Sequence, residues 1–193
     1  MNAMKNILAP IPLIASAAVI AMIFIASQKG RAPSPAPSPL IAKFEHISQN
    51  GNSSCSAAFT SSIAAMPEGQ RLQGSCCSPM SFHRYSEQIE GLKKYQAIPE
   101  VPADPYDIEA ALAKNLQSSY DMELTAEEQA AYDYAMANSN EKGPCCCKCW
   151  RWYVYGGLGK LLIQKYGFTG EEVAEVWNLS DGCGGDNTHH HAA

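Results

Sequence analysis

Four of this chain's eight cysteines fall within five residues, in Pro144-Cys145-Cys146-Cys147-Lys148-Cys149-Trp150. Neighbouring cysteines are poorly placed to bond one another, because a disulfide wants its Cα atoms roughly 4.4–6.8 Å apart with a skewed torsion. These sulfurs must therefore pair with distant cysteines or hold something soft. A second cluster upstream, Cys76-Cys77-Ser78-Pro79-Met80-Ser81-Phe82-His83, offers two thiols, a thioether and an imidazole. Whatever fold the chain adopts has to accommodate both patches.

The spacing favours a metal. Cys146 and Cys149 form a C-x-x-C pair, and Cys145, Cys147 and Cys149 alternate. Both patterns let sulfurs converge on one ion while the intervening residues turn away. The run precedes a helix, whose unpaired amides and dipole favour thiolate, the form that binds metal. Met80 and His83, three apart on the next predicted helix, share one side of it. Thiolate, thioether and imidazole together suit copper as Cu(I) first, and zinc or a thiophilic heavy metal next. Oxygen-seeking Ca²⁺ and Mg²⁺ do not fit, and the usual iron–sulfur spacings are not matched. The expected metal ligands are Cys76, Cys77, Met80, His83, Cys145, Cys146, Cys147, Cys149 and Cys183, with Cys55 either bridged or free.

The front of the chain points to export. Ile7 to Ala26 is a charge-free stretch long enough to cross a bilayer core of about 30 Å. Residues 1–31 read as a signal anchor or signal peptide, residues 32–42 as a Pro/Ser-rich linker, and 43–75 as a loosely ordered strap. A cysteine-rich helical domain is expected over 76–183, and a disordered tail holding His189, His190 and His191 over 184–193. The expected location is membrane-anchored and extracytoplasmic, periplasmic or at the cell surface. An oxidising compartment also permits disulfides, so a bridged framework of the eight cysteines stays open. The formal charge is −5, although Lys5, Lys29 and Arg31 lie in a leader without acids. That balance excludes nucleic acid as a partner, since phosphate binding needs a basic face.

Helix signals repeat from residue 78. Ser78-Pro79 predicts a helix start, followed by Phe82, Tyr85, Ile89 and Leu92 at helical spacing. Asp104-Pro105 predicts another start, leading to Ile108, Leu112 and Leu116 on one face. Thr125 with Glu128, and Thr169 with Glu172, are capping boxes. Between them Trp150, Val154, Leu158 and Leu162 mark a helix that Gly167 ends. Gly156, Gly157 and Gly159 inside it predict close packing against a neighbour. The fold class expected is all-α: a small bundle of about five helices behind the N-terminal membrane helix and Pro-rich linker, with no strand.

The skeleton Pro144-Cys145-x-Cys147-x-Cys149 resembles that of the PCYCGC-motif proteins, a bacterial group of exported, membrane-anchored cysteine-rich proteins. Cys146 and Lys148 stand where that motif has Tyr and Gly, and the likeness covers six residues plus the layout of leader, linker and domain. The resemblance implies cysteine-based metal binding outside the cytoplasm and no known reaction. Three functions follow from the whole reading. The first is a non-catalytic, membrane-tethered soft-metal protein acting in scavenging, delivery or resistance, with a protein partner for transfer. The second is a disulfide-stapled accessory module of a membrane complex. The third is a thiol–disulfide oxidoreductase using Cys146 and Cys149, although such a motif normally follows a strand.

Overall fold

The computed structural model describes residues 37–185. The expected leader, residues 32–36 of the Pro/Ser-rich linker and the histidine tail lie outside the described residues. Among those described, no helix is long and apolar enough to cross a membrane.

The described residues are mostly helical, with one small two-stranded sheet. Helix α1 spans Pro39–Asn50 and α2 Ala57–Ser62; strand β1 follows at Arg71–Gln73. Then come α3 (Phe82–Leu92), strand β2 (Asp107–Glu109), α4 (Ala110–Ser118), α5 (Ala126–Asn138), α6 (Trp150–Tyr166) and α7 (Gly170–Ser180). The expectation of helices alone is corrected by β1 and β2, which pair antiparallel with Leu72 opposite Ile108. Strands of three residues carry too little alternation to read from sequence.

The helix ends explain where sequence expectation holds and where it shifts. Both capping boxes form, with the Thr125 and Thr169 hydroxyls accepting from the amides of Glu128 and Glu172 at 3.3 Å. Gly167 takes the left-handed conformation, φ 69°, that closes α6. By contrast Ser78-Pro79 does not open α3. The Ser78 amide and hydroxyl both donate to the Cys183 carbonyl, at 2.9 and 3.0 Å, which holds this segment extended until Ser81. Asp104 likewise closes a turn by accepting from the Tyr106 amide at 2.9 Å, and the chain pairs as β2 before α4 begins. The expected strap over 43–75 contains most of α1, all of α2 and β1. Ser38 caps α1, accepting from the Ile41 amide at 3.3 Å, with Pro39 in the first turn.

The main core centres on α6. A Cβ on Gly157 would lie 1.8 Å from the Leu116 carbonyl oxygen, so α6 and α4 touch backbone to backbone. Gly159 makes the same room for Trp177 of α7, and Gly156 for Tyr120. Trp177 locks the α6–α7 contact by donating its indole N–H to the Tyr155 carbonyl at 2.8 Å. A second apolar cluster gathers Ile47, Tyr85 and Tyr106, with Leu40, Phe44, Met80 and Ile89 packed on it. Lys43 fastens α1 there, bridging Asp104 at 2.8 Å and Asp107 at 3.0 Å.

Candidate metal centre

Four stretches of chain deliver sulfur to one place at the start of α6. Cys145 to Cys149 form the turn before that helix, and Cys149 is its N-terminal capping residue. The turn is set by Lys142 and Gly143 at positive φ, with the Ser139 hydroxyl accepting from the Gly143 amide at 2.8 Å. Cys76 and Cys77 follow β1 through Gly74, whose φ of +79° and lack of a Cβ let the backbone rest against Gly51. The same contact positions Cys55. The amides of Asn52 and Ser53 both donate to the Gln73 carbonyl at 3.0 Å, carrying the α1–α2 loop alongside β1.

Cys183 arrives from the segment after α7. Its amide donates to Asp181 Oδ1 at 3.0 Å, and the chain then runs parallel to residues 76–80. The Cys76 amide donates to Gly182 O at 3.4 Å and the Gly185 amide to Pro79 O at 2.9 Å. A Cβ on Gly184 would strike the Ser78 carbonyl at 2.2 Å, so this clasp requires a glycine.

All eight cysteines carry free thiols, and their sulfurs form one connected group. Cys55 Sγ lies 2.9 Å from Cys77 and 3.5 Å from Cys147. Cys77 is 3.7 Å from Cys76 and 4.0 Å from Cys146. Cys183 is 2.9 Å from Cys146 and 3.3 Å from Cys145, which is itself 3.8 Å from Cys149. Sulfurs sharing a four-coordinate ion at bonds of about 2.3 Å stand about 3.8 Å apart. Four of the seven separations, 3.5 to 4.0 Å, match that spacing, while Cys55–Cys77, Cys146–Cys183 and Cys145–Cys183 are closer. Cys145, Cys149 and Cys183 are buried, whereas Cys77 is exposed and gives the group an open edge.

Contacts within the group push neighbouring thiols in opposite directions. Hydrogen bonds from Cys149 and Cys183 pull the Cys76 thiol down to about 4, with Arg151 assisting against the cost of burial. Cys183 is pushed up by its hydrogen bonds to Cys145, Cys146 and Cys76. Burial and the charges of Cys145 and Cys149 push Cys147 up, and burial with the Cys77 and Cys76 contacts raises Cys55. Each thiolate that forms makes a neighbouring thiol harder to ionise.

One cation is built in. Arg151, in the first turn of α6, is fully buried and pairs with no carboxylate among the described residues. It donates Nη1–H to Pro105 O at 2.6 Å and Nη2–H to Gly74 O at 3.0 Å, while Nε has no partner. Burial alone would lower its pKa; Tyr155 and the sulfurs of Cys76, Cys145 and Cys183 raise it instead. Its guanidinium also stacks over the Trp150 ring, 4.4 Å from the centroid.

Of the residues expected from sequence to bind metal, the seven cysteines meet here. Met80 does not join them: its side chain packs on the Ile47–Tyr85–Tyr106 cluster. His83 is 85 % exposed and pairs with Glu87 at 3.2 Å, on the outer side of α3. The cause is the extended clasp at 78–80, which delays α3 and turns that face away from the sulfurs. Cys55 is the member sequence reasoning missed. Its Ser-rich surroundings hide it, and only the parity of eight cysteines hints that it belongs. Comparison with known proteins yields nothing further: no family model, no curated protein and no solved structure matches this chain.

Proposed function

We propose that the protein binds a soft metal ion through its cysteines, copper as Cu(I) first and zinc or a thiophilic heavy metal next. It acts without catalysis, in scavenging, delivery or resistance. The observation that carries this reading is the convergence of eight free thiols from four remote stretches beside a buried arginine. Thiolate sulfur selects such ions, and a guanidinium without a carboxylate partner suits an anionic neighbour. The apolar stretch at Ile7–Ala26 supports a membrane tether and an extracytoplasmic location. The exposed Cys77 edge is where an ion would enter or pass to a protein partner.

Binding to the folded state alone stabilises it by about 4 kcal/mol when free metal is a thousandfold above its dissociation constant. The reduced full-length protein, kept anaerobic, is therefore expected to melt at higher temperature with Cu(I) or Zn²⁺. An unchanged melting temperature with excess of either ion would sink the proposal. A second reading, the disulfide-stapled module, is favoured by the 2.9 Å pairs Cys55–Cys77 and Cys146–Cys183. Alkylation of protein taken directly from cells separates the two. Thiols that become reactive only after reductant favour the staple, and thiols freed by a chelator favour metal.

A further inference from the structure

The arrangement of the sulfurs goes beyond a single ion. A mononuclear thiolate site uses at most four sulfurs in a tetrahedron and leaves the rest idle. Here four sets of three sulfurs each lie within 4.8 Å of one another: Cys55/Cys77/Cys147, Cys55/Cys76/Cys149, Cys76/Cys77/Cys183 and Cys145/Cys146/Cys147. Together they use every cysteine in the chain. Cys55, Cys76, Cys77 and Cys147 each belong to two sets. A thiolate has lone pairs enough to bridge two cations, and Cu(I), with a filled d shell, is satisfied by three sulfurs.

We infer that the eight cysteines hold one polynuclear Cu(I)–thiolate cluster, with Cys55, Cys76, Cys77 and Cys147 as bridging ligands and Arg151 as its internal counter-charge. The inference rests on the soft-metal reading above and adds nuclearity and ligand roles to it. Each thiol gives its proton to solvent as copper binds, and copper stays Cu(I) throughout, so no oxidant or reductant takes part. Eight thiolates on four Cu(I) ions leave the cluster anionic. The buried guanidinium offsets part of that charge where water cannot. Shared sulfurs also couple the sites, because the first ion orders and deprotonates ligands that the next one uses.

The test is an anaerobic titration of the reduced full-length protein with Cu(I), held by a competing chelator. Native mass spectrometry reads the load and X-ray absorption reads the copper neighbours. Four copper ions are expected, one for each sulfur set, with copper–copper scattering and little singly loaded protein. Saturation at one ion, or at two without copper–copper scattering, overturns the cluster and leaves soft-metal binding standing. No uptake removes both readings. Cys55→Ser removes a bridge from two sets and is expected to halve the load while helical circular dichroism is retained. An undiminished load in that variant overturns the bridging assignment. His83→Ala, outside the sulfur group, is the matched control and keeps the full load.

Discussion

The two ends of α6 are built on different principles. From Gly156 onward the helix packs carbon against carbon, with its glycines admitting Leu116, Tyr120 and Trp177 at close range. At its start, Cys149, Trp150 and Arg151 face sulfur, a buried charge and three loops from elsewhere in the chain. The carbon-packed half holds itself together through burial. The sulfur half is held by backbone hydrogen bonds between loops and by the buried Arg151 guanidinium, which ties Pro105 to Gly74. One helix thus joins a carbon-packed core to the candidate metal centre.

The sharpest way to break the comparison is Gly157→Val. The new side chain meets the Leu116 carbonyl and has nowhere to go, so a loss of about 3 kcal/mol is expected. Denaturant titration with and without metal should give the same loss, because the damage lies in the carbon-packed half. Equal stability of variant and wild type would refute the packing argument.

Arg151→Met acts at the other end. It leaves the Pro105 and Gly74 carbonyls without their donors, at a cost of about 2 kcal/mol. Unlike the glycine variant, it should also weaken Cu(I) binding in a competition assay. Undiminished affinity would show that the guanidinium serves the carbonyls alone.

The smallest effect sharpens the contrast from outside both halves, where Lys43 and Arg71 flank Asp107. Burial tends to raise the Asp107 pKa, but Arg71, Lys43 and Gln73 outweigh it and hold it below its ordinary 3.8. A depressed carboxylate contributes stability above that ordinary value and loses it as pH falls through the folded value. Asp107→Asn is expected to cost under about 1 kcal/mol at pH 7, since both cations are substantially exposed. Thermal melts should converge with wild type as pH drops below about 3.8. A gap that persists in acid would assign the loss to geometry instead of charge.

The carbon-packed half was the legible one. Thr125 with Glu128, Thr169 with Glu172, and Gly167 carry their signals locally, and the structure uses each of them. The glycines of α6 were also readable, because a helix tolerates three of them only where a neighbour comes close. Helix α1 was misread because Ser38-Pro39 sits in a Pro/Ser run, although Leu40, Phe44 and Ile47 have helical spacing. In the sulfur half, the residue types were legible and the partners were not. No local pattern states that Asn52 docks on Gln73, or that residues 183–185 lie along 76–80; those are tertiary facts. They bring in Cys55 and leave out Met80 and His83.

The clasp around Gly184 also has a temporal meaning. Sulfurs spread from residue 55 to residue 183 meet only when the last of them has been synthesised and laid against Ser78. A growing polypeptide emerging from a ribosome or a translocon therefore exposes thiols for most of its synthesis without the finished nest. The complete group of eight sulfurs therefore closes late, once residues 182–185 have been laid along 76–79.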